Sequence, residues 1–372
     1  MTGRLKLRLF AHSWTSDWNH GNAHFLRGLA CELVKLGHDV RCYEQLNSWS
    51  LCNLLKEDPA KGRAAIDSFW TSFPELDVRF FDPHLNFRQF AAEELSDADI
   101  VLLHEWNAPS VVKTILDLKN KFRFRVLFHD THHRAYTSPQ EILKLNLKAF
   151  DGVLVFGEAL RRIYEQAFGV ERIWIFHEAA DIAHFVPVNL NRTTDVVWIG
   201  NWGDEERTRE LEEFLLGPTT ALKNPKVAVH GVRYPDEARA RLAEAGVEYR
   251  GYLPNLRTPQ VYGESLITLH VPRRYYANGL SGIPTIRVFE ALACGIPLVC
   301  SPWLDTEGLF RAGEDFVCVK DGKAMAAELR HLLQDEKARQ QMAERGLQTV
   351  RQRHTCAHRA RQLLEICEEL GR

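Results

Sequence analysis

The stretch Arg287-Val288-Phe289-Glu290-Ala291-Leu292-Ala293-Cys294-Gly295-Ile296-Pro297-Leu298-Val299 decides the fold. From Arg287 to Ala293 it reads as a helix with a glutamate near its start and a small, apolar face. Gly295 stops that helix, because glycine adopts the left-handed conformation of a helix end without a side-chain penalty. Pro297 then opens an apolar strand, a position where a missing N–H costs little. A helix that feeds directly into an apolar strand is one step of a β-α-β progression, and the rest of the chain repeats it.

Around this step, strands are expected at Val196–Ile199, Val227–Val229, Leu266–Val271, Pro297–Cys300 and Phe316–Val319. An earlier series comprises Leu5–Phe10, Val40–Tyr43, Val78–Phe81, Ile100–Leu103, Val126–His129, Val153–Phe156 and Ile173–Phe176. Helix-like stretches separate them. The clearest spans Asn22 to Leu36, with Leu26, Leu29, Ala30 and Leu33 on one face and Gly37 at its end. Such alternation predicts an α/β protein with mostly parallel sheets covered by helices. Two series in 372 residues predict two domains, since one domain takes roughly 100–200 residues. Residues 183–194 lack periodicity and contain Pro187, so the boundary is expected there, with domains at 1–185 and 186–355. Past Ala324 the pattern is helical, with Leu329, Leu332, Leu333, Leu363, Leu364 and Ile366 supplying apolar faces.

Composition excludes several functions. With 47 basic and 49 acidic residues the net charge is −2, so no whole-molecule field recruits nucleic acid or anionic lipid. The opening MTGRLKLRLFAHSW has too short an apolar run for a signal peptide, and no transmembrane segment is expected, which points to the cytoplasm. The eight cysteines are scattered singly without a CxxC pair and read as reduced thiols. His129-Asp130-Thr131-His132-His133 lacks the helical spacing of a zinc protease site. Asp97-Ala98-Asp99 precedes a strand, at the edge opposite the expected site, and reads as a helix-to-strand turn. No metal is expected.

In parallel α/β sheets ligands bind beyond the C-terminal strand ends, where loops and helix N-termini present donors. Four segments sit there. The loop His12 to Asn22 includes His20, Gly21 and Asn22, and Gly21 reads equally as a turn glycine or as a point of ligand approach. There is no GxGxxG, which disfavours a dinucleotide. His129, Asp130 and His132 follow the fifth strand, where an imidazole can serve as acid, base or donor. His104-Glu105-Trp106-Asn107 occupies the same edge. In the second half, Gly200-Asn201-Trp202-Gly203 precedes a helix bearing Arg207 and Arg209, which together read as a diphosphate clamp or as a solvated helix face. Glu290 reads either as a carboxylate accepting two ribose hydroxyls or as a helix-start charge favoured by the dipole.

Several of these segments together resemble the group 1 retaining glycosyltransferases, most closely the CgeB-like branch. FEALACGIPLV (289–299) is similar to the donor-site helix and strand of that family. Thr306–Phe310 and Gly313–Phe316 resemble the next loop, and 324–355 the helical tail. HGNAHFLRGLACELVKLGHDV (20–40) resembles the family's first loop, helix and strand, and His177–Asp181 with Phe185 and Pro187 its interdomain segment.

The resemblance implies a GT-B fold, two Rossmann-like domains facing across an interdomain cleft, with nucleotide held by the C-terminal domain and acceptor by the N-terminal one. It also implies that the final helix, 356–372, crosses back onto the first domain. Glu290 takes the ribose position, Gly21 and Asn22 with His20 the first cleft loop, and His129 or His132 with Asp130 the N-terminal active-site region. Two departures stand out. Gly282 occupies the place of a second glutamate eight positions before Glu290, so backbone N–H groups of the Ser281-Gly282 loop and the cation of Arg287 are expected to contact the donor instead. The family's Arg and Lys diphosphate pair is not reproduced, and Arg207, Arg209 or Arg273 is expected to replace it. The implied activity is metal-independent, retaining transfer of a sugar from a UDP, GDP or dTDP sugar to a small-molecule, glycan or protein acceptor, with no further cofactor. A nucleotide-sugar 2-epimerase and a non-catalytic nucleotide- or polysaccharide-binding protein are the alternatives.

Overall fold

Two parallel sheets organise the computed structural model, which describes residues 3–203 and 205–371. The first contains β1 (Lys6–Phe10), β2 (Asp39–Gln45), β3 (Asp77–Phe81), β4 (Ile100–His104), β5 (Arg125–Asp130), β6 (Gly152–Val155) and β7 (Ile173–Ile175). Their order is β3-β2-β1-β4-β5-β6-β7, all neighbours parallel. The second contains β8 (Thr194–Ile199), β9 (Val227–His230), β10 (Val247–Tyr249), β11 (Ser265–His270), β12 (Leu298–Cys300) and β13 (Val317–Cys318). Its order is β10-β9-β8-β11-β12-β13, again all parallel. The α/β class is as expected. β10 was not legible because it is a three-residue edge strand in a polar, glycine-flanked stretch.

β4 is buried along its whole length, as strands covered by helices on both faces must be. The exception among central strands is Arg8, a fully buried cation in β1. It reaches Asp39 at 3.3 Å and Asp97 at 3.1 Å. Lys6 and Arg8 hold the Asp97 carboxyl down at about 2, and Asp99 accepts the Lys6 N–H at 2.7 Å. Both carboxylates of Asp97-Ala98-Asp99 therefore knit the start of β4 to β1.

The helix Ala23–Lys35 buries Leu26, Leu29 and Leu33, each contributing about 2 kcal/mol by burial. Gly37, at φ +89°, ends it, with the Gly37 and His38 N–H groups donating to the Val34 and Leu33 carbonyls. Against this helix packs Cys356–Gly371. That last helix is tied to the end of β7: Arg359 donates to the His177 carbonyl, Gln362 to the Ile175 carbonyl, and the Trp174 indole to Glu369.

The chain divides into two compact units, one ending at Glu178 and resuming at Cys356, the other spanning Ala179–Thr355. The division precedes the expected boundary at residue 185. Ala180 donates its N–H to the His354 carbonyl and pairs with Thr355, which binds the segment to the second unit. In that unit the core gathers Val196, Trp198, Val229, Ile267 and Leu269 from the sheet with Leu211, Met325 and Leu329 from the helices. Gly295 stands at φ +63° and closes the helix Ile286–Ala293 before β12, as its position in the sequence requires. No described helix is long and apolar enough to cross a membrane.

Candidate active site

In the second sheet the strand order reverses between β8 and β11, so the loops that follow these strands diverge and open a crevice at their C-terminal ends. After β8 come Gly200, Asn201, Trp202 and Gly203. The Gly200 carbonyl accepts the Tyr234 hydroxyl at 2.6 Å, and the Asn201 side chain accepts the Val232 N–H at 2.8 Å. A Cβ at Gly231 would stand 2.1 Å from the Gly200 carbonyl oxygen, so the loops after β8 and β9 meet backbone to backbone. Arg207, in the helix Glu205–Leu211, donates to the Asn201 carbonyl at 2.8 Å and lies 5.8 Å from the Trp198 ring. Arg273 directly precedes the helix Arg274–Asn278 after β11. Arg274 grips Glu210 through two bonds of 2.7 and 3.1 Å, joining that helix to Glu205–Leu211. Of the expected clamp residues, Arg207 and Arg273 sit half-buried at strand ends, whereas Arg209 is exposed.

Glu290 is fully buried and pairs with Arg287 one turn earlier in Ile286–Ala293. The dipole reading fails for it, since no acidic residue occupies the first turn of this helix. The imidazole of His270, at the end of β11, meets the hydroxyl of Thr285, the N-cap residue, at 3.0 Å. Burial, assisted by the charge of Arg207, pushes His270 down to about 3, so it is neutral and joins β11 to the Glu290 helix. His230, ending β9, is likewise lowered to about 4 by burial. Neither histidine was singled out in the sequence, because only the parallel register brings them to the crevice.

Gly282 explains its own departure from the family pattern. Its φ is +95°, and a Cβ there would lie 2.0 Å from Thr306 Oγ1. A side chain on this backbone is strained and displaces Thr306. Gly282→Ala is expected to cost about 2 kcal/mol through left-handed strain and the displaced threonine. That lowers the melting temperature by about 5 °C in a unit of this size, measurable by calorimetry.

The first sheet reverses between β1 and β4. The loop after β1 is fastened by a residue the sequence reading missed, Glu44 at the end of β2. Its buried carboxylate accepts the Trp14 and Thr15 N–H groups at 2.7 and 2.9 Å and the Ser13 and Ser48 hydroxyls at 2.7 and 3.0 Å. Arg27 braces the same loop, donating to the Trp14 carbonyl and to Asp17 at 2.7 and 3.1 Å. Glu44→Gln replaces acceptor by donor against this cage and is expected to cost about 2 kcal/mol, read as an earlier urea midpoint.

Around that loop the structure assembles a line of imidazoles. Ring centroids lie 5.3 Å apart for His12 and His20, 6.1 Å for His20 and His104, and 5.5 Å for His104 and His129. Asn22 donates to Thr131 at 2.7 Å, and the Thr131 hydroxyl also meets His104 at 3.1 Å. Gly21 adjoins Asn22 in the turn that enters the first helix.

His129 and Asp130, expected in the active-site region, are both fully buried. His129 is fully buried, its ring set edgewise against Phe25 and Phe176 at 6.1 and 5.6 Å, and burial pushes it down to about 3. Its ring lines a small cavity with Trp14, Leu102 and His104. Asp130 turns its carboxyl to the buried Tyr164 hydroxyl at 2.6 Å and the His132 N–H at 2.9 Å. Burial raises Asp130 to about 6. Burial, with the charge of Asp130, raises Glu105 as well. His132 is the half-buried member of the group, 5.0 Å from the Trp106 ring.

Residues 207–365 match the family model Glyco_trans_1_2, described as glycosyl transferase-like. No curated protein sequence matches the chain. Among solved structures, Anabaena HepE in complex with UDP and glucose superposes with a TM-score of 0.72 at 13% identity, over 98% of this chain and 100% of that one. A glycosyltransferase from Rickettsia africae gives 0.69 at 12% identity, covering 99% of each chain. Sucrose-phosphate synthase from Thermosynechococcus elongatus gives 0.68 at 14% identity, again over 99% of each. Both sheets and their strand order agree with these structures, so the chain has the GT-B fold, and within it residues 207–365 are similar to the glycosyl transferase-like family.

Proposed function

We propose that the protein transfers a sugar from a nucleoside-diphosphate sugar to an acceptor hydroxyl, binding the donor in the C-terminal unit. The observation that carries this reading is Glu290, a fully buried carboxylate one turn after Arg287, on the helix that His270 and Thr285 join to the crevice. A carboxylate accepts two hydrogen bonds side by side, which suits the paired hydroxyls of a ribose. Arg207 and Arg273 flank the crevice as donors to the diphosphate, and the N–H groups of the Gly200–Gly203 and Ser281-Gly282 loops add neutral donors.

During transfer the bond from the anomeric carbon to the diphosphate oxygen breaks. The acceptor oxygen bonds to that carbon and passes its proton to the departing diphosphate oxygen. Charge grows on the leaving diphosphate, and guanidinium and N–H donors fixed beforehand stabilise it without reorganisation. We assign no step to a metal ion, and we infer retention of configuration from the group 1 resemblance. UDP is the first nucleotide to test, since the Anabaena structure of the same fold holds UDP.

The test is a thermal-shift comparison of UDP, GDP and dTDP with the corresponding sugars. A ligand at a hundred times its Kd stabilises by about 2.7 kcal/mol, enough to move the melting temperature by several degrees. No stabilisation by any nucleotide would sink the donor site. A second reading, nucleotide binding without transfer, is favoured by Gly282 and by the core position of His129. Binding without donor consumption across an acceptor panel selects it.

A further inference from the structure

We infer that the strand-end rim of the N-terminal unit, built on Trp49, Trp106 and His12, seats a pyranose ring, which makes the acceptor a carbohydrate. This rests on the glycosyltransferase reading and narrows its acceptor. Trp14, Trp18, Trp198, Trp202 and Trp303 are almost wholly buried, whereas Trp49 is 48%, Trp106 42% and Trp70 40% exposed, and of these three Trp49 and Trp106 share a neighbour. Indole is the largest apolar side chain, and leaving it in water is unfavourable unless something covers it. Both rings flank the same imidazole: His12 lies 6.2 Å from Trp49 and 6.4 Å from Trp106.

The rim is prearranged. Trp49 follows Ser48, whose hydroxyl donates to Glu44 at 3.0 Å, and packs edge-to-face on Trp18 at 5.0 Å. Trp106 precedes Asn107, whose amide donates to the Phe10 and His104 carbonyls at 3.0 and 2.8 Å. Binding to such a rim loses little entropy in ordering loops.

Its chemistry fits a sugar better than a nucleobase. The His12 ring is tilted by 43° to Trp49 and 53° to Trp106, so neither indole forms with it a pair of parallel slabs between which a flat base stacks. A pyranose presents an apolar C–H face to an aromatic wall and hydroxyls around its edge. Polar partners meet the Trp106 ring itself: the Arg134 guanidinium lies over it, 3.9 Å from its centroid and covering one face, and His132 is 5.0 Å from it on an edge-to-face approach. Apolar walls with a few convergent polar groups are the usual composition of a small-ligand site.

Saturation-transfer NMR on the whole protein with maltose, cellobiose, lactose, chitobiose and uridine tests this. The expected result is transfer to the ring C–H protons of at least one disaccharide, with affinity falling about tenfold or more in Trp49→Ala and in Trp106→Ala. Trp106→Phe should keep most of the binding, and unchanged melting curves establish that the variants fold. Three results would overturn the inference: no disaccharide bound, sugar binding that survives both alanine substitutions, or uridine alone bound and lost on substitution. A parallel thermal shift with UDP separates the two ideas. A UDP shift without sugar binding removes only the rim, whereas sugar binding lost in the variants without a nucleotide shift removes only the donor site.

Discussion

Acidification from about pH 7 to about pH 5 is expected to destabilise the protein by several kcal/mol, a large fraction of the 5–15 kcal/mol typical of a folded domain. The cause is a set of buried imidazoles. Burial lowers His12 and His230 to about 4 and His129 and His270 to about 3, against an ordinary value of 6.5. Below pH 6.5 the unfolded chain takes up protons on these groups and the folded chain does not. The unfolded state therefore binds more protons, and unfolding becomes easier as pH falls through this window, by up to about 1.4 kcal/mol per histidine per pH unit. His20 and His104, lowered in the same direction by burial and by neighbouring positive charge, add to the trend.

Asp130 and Glu105 act in the opposite sense. Asp130, raised to about 6, and Glu105, raised by burial and by Asp130, bind protons more readily in the fold, and so restore some stability as pH falls from about 6. Two carboxyl groups do not offset these imidazoles. Urea melts at several pH values measure the slope, and a midpoint constant from neutrality to about pH 5 would refute the account. His129→Phe should flatten the slope by one histidine's share, since its neighbours Phe25 and Phe176 already form an aromatic setting.

Glu290→Ala is expected to weaken UDP or UDP-sugar binding by about 3–4 kcal/mol, several hundredfold. Two charge-assisted hydrogen bonds to ribose hydroxyls disappear, each worth about 1.5–3 kcal/mol. Arg287 loses its partner at the same time, but its side chain is 23% exposed and can turn to water, which limits the damage to the fold. Glu290→Gln keeps the shape, one acceptor and less charge, and should fall between the two. Calorimetric titration with UDP reads the effect. Equal affinities for wild type and Glu290→Ala would place the nucleotide elsewhere.

Strand positions, helix faces and the Gly295 stop were legible in the sequence because they are local, set by hydrophobic period and by backbone conformations that few residues adopt. Glu290 was legible for the same reason, as a carboxylate embedded in an apolar helix. Glu44 was not, since nothing near it in sequence shows that Ser13, Trp14 and Thr15, from the end of the neighbouring strand, would enclose it. Arg209 looked as able to bind phosphate as Arg207, and only the position of the helix beside Asn201 separates them. Gly282 reads as a missing carboxylate, and its backbone angle and Thr306 show that a side chain there is strained.

By itself the sequence determined two parallel α/β units and the loops that end their strands, because alternation of period and punctuation by glycine are properties of neighbouring residues. Only the tertiary structure decided which of those loop residues are buried and which stay exposed. It sent His129 into the core against Phe25 and Phe176 and left Trp49 and Trp106 in solvent beside His12. Burial is a property of what packs against a side chain from distant strands, and it alone sets whether an imidazole is a neutral packing element or a group that can meet a substrate.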